Sequence, residues 1–224
     1  MKQFAFVTLA LVLAPIAAAQ STWYVDVLGA GPGTGALSDP YTTIQAAIDA
    51  PATADGDTVF VWAGAYREQL DLGGKSLRIR ALFPELETIV DAGRTGRVIT
   101  VASGEGPGTL VEGLTLQGGR TDRGGGVLVD SSHLELRSCR IIGNSASGDG
   151  GGLLVLDGST VEVTDSEVSD NVARGNGGGV HGDVSLEDCI LERNVATHGG
   201  GAHGARLVNC QLRSNQAGGE GVPG

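Results

Sequence analysis

Two histidines stand in matching surroundings, His181 in "GGGVHG" (Gly177–Gly182) and His203 in "GGGAHG" (Gly199–Gly204). An imidazole titrates near neutral pH, so it can serve as a general acid or base, or as a metal ligand. His198 lies close by in the sequence. No cysteine or carboxylate completes a familiar ligand spacing with these histidines, so no metal is assigned to them. They stand as candidate catalytic residues, against the plainer reading of two surface side chains. Another glycine run, "VDVLGAGPGTGA", places Gly31, Gly33 and Ala36 in a G-x-G-x-x-A pattern. A dinucleotide site needs such glycines to open a helix directly. Pro32 and the following "LSDP" intervene, so a surface loop is expected there.

The elements that must position His181 and His203 are visible as a repeat. Asn144, Asn171, Asn194 and Asn215 are each followed two residues later by alanine (Ala146, Ala173, Ala196, Ala217). Five residues before each asparagine stands Cys139, Ser166, Cys189 or Cys210, and three before it Ile141, Val168, Leu191 or Leu212. Glycine triplets begin at Gly124, Gly150, Gly177 and Gly199, giving periods of 26, 27 and 22 residues. The segment from Cys or Ser to the triplet hardly changes length, and the insertions fall between the triplet and the next Cys or Ser. Fixed segments with insertions at one corner are what a stacked solenoid requires.

Stretches such as "LELRSC", "VEVTDS" and "VSLEDC" alternate apolar and polar residues and are rich in β-branched types, which reads as short strands. Each turn is expected to hold two or three of them. Stacked at the strand spacing of about 4.8 Å, they form an all-β, single-stranded right-handed parallel β-helix. The asparagines read as a structural ladder that bonds the backbone above and below and tolerates a left-handed corner. Cys139, Ser166, Cys189 and Cys210 read as a second column of small inward residues. In-register neighbours aim their Cβ atoms in parallel, so free thiols are expected over a Cys189–Cys210 disulfide.

Lys2, the apolar run Phe4–Ala14 and Ala17-Ala18-Ala19 read as a secretory signal peptide over residues 1–19, too short for a membrane span. The expected organisation is then a cap with irregular first coils over 20–103, the repeat coils over 104–217, and a tail over 218–224. Glycine makes up 38 of 224 residues, about 17% against the usual 7% or so, yet 41% of the chain is hydrophobic and regularly placed, enough to bury a core. The net charge is −11, or −12 without Lys2. Such a surface argues against nucleic acid and anionic membranes as partners. It also opposes acidic polysaccharide unless a metal ion or a local basic patch intervenes.

The Gly-Gly-x-apolar strands and the turns "IIGN", "VSDN", "LERN" and "LRSN" resemble the repeats of chlamydial polymorphic outer membrane proteins and related bacterial β-helix proteins. The segment Asp39–Ala81, with "GDTV" and then Gly64, Tyr66 and Glu68 in a G-x-Y-x-E pattern, is similar to the opening of pectin methylesterases. That second resemblance implies a pectate-lyase-like solenoid whose first coil is closed by a short helix, here about 42–50 and ended by Pro51. The aspartate pair and arginine segment that hydrolyse esters in those enzymes have no counterpart, so the activity does not carry over. A lyase on this fold would imply calcium, and Asp149, Asp157, Asp165, Asp170 and Asp183, with Arg137, Arg140 and Arg174 among them, are the residues to examine; no cofactor is otherwise expected. Polygalacturonases place a Gly-His-Gly histidine near their cleft, but their partner aspartates have no counterpart either.

With several structural columns and no complete catalytic set, the expected function is a secreted or cell-surface scaffold or adhesion module whose partner is a polysaccharide or a cell-surface component. The alternative is a polysaccharide lyase or glycoside hydrolase working on the outward face of a sheet. The sequence stops at "NQAGGEGVPG" as another triplet would begin, which leaves two readings: an open last coil, expected to self-associate, or a fragment of a longer array.

Overall fold

The computed structural model describes residues 20–218; the signal-peptide expectation for 1–19 and residues 219–224 of the tail lie outside the described residues. The chain winds into a parallel β-helix of four sheets. The first stacks eight strands, from Thr22–Val25 through Arg78–Ala81, His133–Arg137 and Thr160–Thr164 to Arg206–Val208. The second has seven, from Gly64–Tyr66 to Gln211–Arg213, and the third six, from Leu70–Asp71 to Ala202–His203. A fourth sheet of five two-residue strands, Arg120–Thr121 to Gln216–Ala217, lies between the second and third along each coil. The later coils therefore carry four strands rather than the two or three expected. The residues after each asparagine turn alternate for only two positions, too few to read as a strand without the neighbouring coils.

Alternation fills the interior in columns. In the first sheet Val59, Ile79, Val111, Leu136, Val163 and Leu186 stack in register and are buried. The second sheet answers with Tyr66, Val90, Leu116, Ile141, Val168 and Leu191. Both faces of a strand in such a coil are decided by this two-residue period, so a one-residue slip would turn every core side chain outward.

The first coil is closed by a helix, Ile44–Asp49, shorter than the 42–50 expected because Thr43 is its extended N-cap and Ala50 its C-cap. Thr43 accepts the Ala46 N–H. The G-x-Y-x-E pattern explains itself here. Glu68 takes the N–H groups of Ile44 and Gln45 on its two carboxylate oxygens, each at 2.9 Å, and so ties the cap to the second sheet. The buried Tyr66 hydroxyl donates to the Trp62 carbonyl at 3.0 Å. The G-x-G-x-x-A stretch is a loop whose Gly35 packs under Tyr41 and Trp23.

Candidate functional site

The two repeat columns are built into the wall of the coil. Asn144, Asn171 and Asn194 are at most 1% exposed. The Asn171 Oδ1 accepts the Asn144 backbone N–H at 3.0 Å and the Asn144 Nδ2 at 3.1 Å, while its Nδ2 donates to the Ile141 carbonyl at 2.8 Å and to the Asn194 Oδ1 at 3.0 Å. Asn194 repeats this pattern toward Asn171 and Val168, with Asn215 beyond it. Each side chain thus bonds the backbone of the preceding coil only; toward the next coil it meets another amide. The left-handed corner is not at the asparagine, as expected, but one residue earlier, at Gly143, Asp170, Arg193 and Ser214. An asparagine in that conformation would swing its amide out of the stack, and the positive-φ residue before it is what aims it inward.

The cysteine column follows the same plan, with positive φ at Ser138, Asp165, Asp188 and Asn209 just before it. Cys139, Cys189 and Cys210 are free thiols, and burial pushes the Cys139 and Cys189 thiols up to about 11. Ser166 accepts the Cys139 N–H at 3.0 Å and separates Cys139 from Cys189. Nucleophilic chemistry needs a lowered thiol pKa, so this column is a wall element.

His181 and His203 face outward on the third sheet in direct register, with ring centroids 5.1 Å apart and planes inclined by 27°. Leu128 and Leu154 occupy the same column in the two preceding coils. His181 borders an open depression of about 560 Å³ with Asp157 and Asp183, beside the corner where the third sheet turns to the first and where the insertions fall. Its Nδ1 is buried without a hydrogen-bond partner among the described residues, and burial holds its pKa below the ordinary value of 6.5. Asp149 pulls the other way, but its own Oδ1 is already taken by the Asn176 N–H at 2.7 Å. His198 is exposed and forms a parallel bridge with Asn176 of the preceding coil.

A depressed histidine pKa means the unfolded chain takes up the proton more readily than the folded one. The stability held by neutral His181 is therefore intact above the unfolded value and is lost as pH falls below about 6.5. Urea midpoints measured across that range are expected to drop on acidification, and His181→Leu, which matches Leu154, should flatten the profile without loss at neutral pH. An unchanged slope in that variant would remove His181 from the account.

The aspartates a calcium ion would draw on do not gather in one place, although Asp157 and Asp183 border the same depression. Asp165 and Asp170 sit at two different corners, Asp170 is clamped by Arg193 through contacts of 2.8 and 2.7 Å, and Asp149 faces Arg123 at 3.9 Å. Arg140 pairs with Glu87 and Glu167, and Arg137 with Glu135. Among the described residues no group of three or more His, Cys, Asp or Glu side chains is placed to hold a metal ion.

Two surfaces escaped the sequence reading. On the first sheet the outward column begins Tyr24, Phe60, Arg80, Glu112. Tyr24 and Phe60 stack at 6.0 Å, Tyr24 also meets Trp62 at 5.8 Å, and Trp62 meets Phe83 at 6.4 Å. Arg80 lies 5.9 Å over the Phe60 ring and bonds Glu112 at 2.6 Å. Four of the chain's few aromatics thus form one outward cluster on the first coils. The second surface is a furrow along the corner between the second and fourth sheets, bordered by Arg67, Arg94, Arg120 and Arg174.

No protein-family model matches the chain, and no curated protein matches it in sequence. Among solved structures the fold is similar to that of the pectate lyase Pel9A, with a TM-score of 0.59 and 13% identity over 79% of this chain and 49% of that one. The chain therefore spans about half the length of that enzyme. A pectin methylesterase from Aspergillus niger aligns with a TM-score of 0.38 and 10% identity over 93% of this chain and 88% of that one. Among the described residues no helix is long and apolar enough to cross a membrane.

Proposed function

We propose that this chain is a secreted, non-catalytic β-helix module that holds a polysaccharide or cell-surface glycan against the outward face of its first sheet. The carrying observation is the aromatic cluster Tyr24, Phe60, Trp62 and Phe83. Sugar rings present faces of C–H groups with partial positive charge, and an aromatic ring offers a negative face to them. Phe83 is 38% exposed, while Tyr24, Phe60 and Trp62 are half-buried against one another, so the rings are fixed before any ligand arrives. A preformed surface loses little entropy on binding. Likeness in fold to a pectate lyase supports a carbohydrate partner and an extracellular setting.

The test is sedimentation with insoluble polysaccharides, paired with a product assay on the same polymers with and without calcium. Wild-type protein is expected to pellet with at least one polymer and to release no product, and Trp62→Ala to weaken pelleting about tenfold, the scale of one lost stacking anchor. Sustained product formation that disappears in His181→Ala or His203→Ala would replace this reading with a carbohydrate-active enzyme.

A further inference from the structure

The furrow bordered by Arg67, Arg94, Arg120 and Arg174 lies on another side of the coil from the aromatic face. It consists of three open depressions of about 610, 540 and 370 Å³ that share walls: Arg94 and Asp170 border the first two, Arg67 and Asp91 the last two. Its run follows the coil axis from the strand Gly64–Tyr66 to the strand Glu167–Ser169, five successive rungs of the second sheet. At about 4.8 Å per rung this is a track roughly 19 Å long.

The depth has a local cause. The corner after each strand of the second sheet carries Gly93 in one early coil, then Gly118 and Gly143, but Asp170, Arg193 and Ser214 in the later ones. A Cβ at Gly93 or Gly143 would meet nothing within 4 Å, whereas at Gly118 between them it would run into the Asp91 carboxylate; the furrow closes where side chains return at Asp170. The backbone that carries these arginines is pinned by its own N–H groups, while the guanidinium heads are free. The Arg94 and Arg120 N–H groups donate to Gly118 and Gly96 carbonyls in adjacent coils, each at 2.7 Å, and the Arg174 N–H donates to Ala146 at 3.1 Å.

What marks the furrow is that its arginines are both grouped and unpaired. Elsewhere Arg80, Arg123, Arg137, Arg140 and Arg193 each face a carboxylate. None of the four furrow arginines makes a side-chain hydrogen bond or ion pair among the described residues, and all four are exposed. The two carboxylates in the furrow are already engaged. Asp91 accepts the Gly93 N–H at 2.8 Å and the Gln117 amide at 3.0 Å, and Asp170 is held by Arg193. Arg78, Arg97, Arg206 and Arg213 also face no carboxylate among the described residues, but they are spread over other sheets and rungs; in the furrow four such guanidinium groups stand along one track of a chain of net charge −11.

We infer that this furrow binds a linear acidic polysaccharide, its carboxylates facing Arg67, Arg94, Arg120 and Arg174. Guanidinium forks match carboxylates in two-point contacts, and a polymer along the coil axis meets a new arginine every rung or two. Gln117, Thr121, Ser145 and Ser147 lie along the same track as partners for sugar hydroxyls. No aromatic ring borders the furrow on which a nucleobase could stack. Outside the strip the negative surface repels a polymer as densely charged as nucleic acid. This site goes beyond the aromatic-face reading and does not depend on it.

Affinity electrophoresis through gels containing polygalacturonate tests the inference, with fully methyl-esterified galacturonan and single-stranded DNA as the comparison polymers. Wild-type protein is expected to be retarded by polygalacturonate, less so as salt rises, and to ignore the esterified polymer. Arg94→Gln/Arg120→Gln should weaken that retardation about tenfold or more, a reasonable loss for two charge contacts, with its thermal melting unchanged because both residues are exposed. Trp62→Ala should leave it intact, so loss of the aromatic-face reading and loss of this one give different patterns. Equal retardation by the esterified polymer, tighter binding to DNA, or unchanged retardation of the double variant would each overturn the assignment.

Discussion

Asn171→Ala is expected to lower stability by about 3 kcal/mol, although it removes one small side chain from a wall. The change leaves the buried Asn144 N–H with no acceptor, since the Asn171 Oδ1 at 3.0 Å is the group that satisfies it. It also takes a donor from the Ile141 carbonyl and one from the Asn194 Oδ1. Water cannot replace them at a position that is 0% exposed. Asn171→Asp is expected to be no better at neutral pH, because its second oxygen would face the Ile141 carbonyl and the Asn194 Oδ1 while adding a buried charge. In a solenoid each coil leans only on its neighbours. The damage should therefore appear first as lost hydrogen-exchange protection around 139–146 and 189–196, with the cap coils spared. Uniform loss across the whole chain, or a urea midpoint close to wild type, would contradict the ladder account.

Gly151→Ala should be worse, at about 4 kcal/mol or more, and is expected to abolish soluble yield. A Cβ there would sit 2.4 Å from the Gly178 carbonyl oxygen and 2.5 Å from that of Val172, both backbone atoms held in the stack. The Gly178 carbonyl cannot retreat without giving up the Gly152 N–H, which donates to it at 3.1 Å. The informative comparison is Gly143→Ala. Gly143 has φ +64 but open space around its Cβ direction, so its cost is the left-handed penalty alone, about 1 kcal/mol. If the two variants melt together, close approach is not why the triplets exist.

These two predictions concern one device. The third glycine of each triplet packs against the asparagine amide, as Gly152 does on Asn171 and Gly179 on Asn194, with a would-be Cβ 3.0 and 3.1 Å away. In the sequence the asparagine and glycine columns look like separate features of a repeat. In the coil they touch, and the asparagine lies flat in the wall because nothing projects from the glycine beside it. "GGGVHG" is accounted for in that way up to its valine. The first glycine takes φ +64, the next two lie against backbone and the Asn194 amide, and Val180 is core.

The columns, the strand alternation and the corner that takes insertions were legible in the sequence because each depends on residues a fixed distance apart on one coil. So was the cap helix, within two residues. The role of Glu68 was not, since its partners Ile44 and Gln45 are more than 20 residues away and on another element. The arginine furrow left a faint trace: Arg67, Arg94, Arg120 and Arg174 are separated by 27, 26 and 54 residues, close to whole numbers of coils. That spacing says nothing about where a guanidinium points or whether a carboxylate neutralises it.

The sequence by itself determined the parallel β-helix. Backbone pairing between coils demands the same small or apolar residue at the same place in every turn, and that demand is written as a period. Where the surface carries its aromatics and its uncompensated charge was decided only by the tertiary structure. Outward side chains are free of the stacking constraint, so their identity follows no column. They become a site when successive coils bring Tyr24 beside Phe60, or Arg94 near Arg120, at the spacing of one rung.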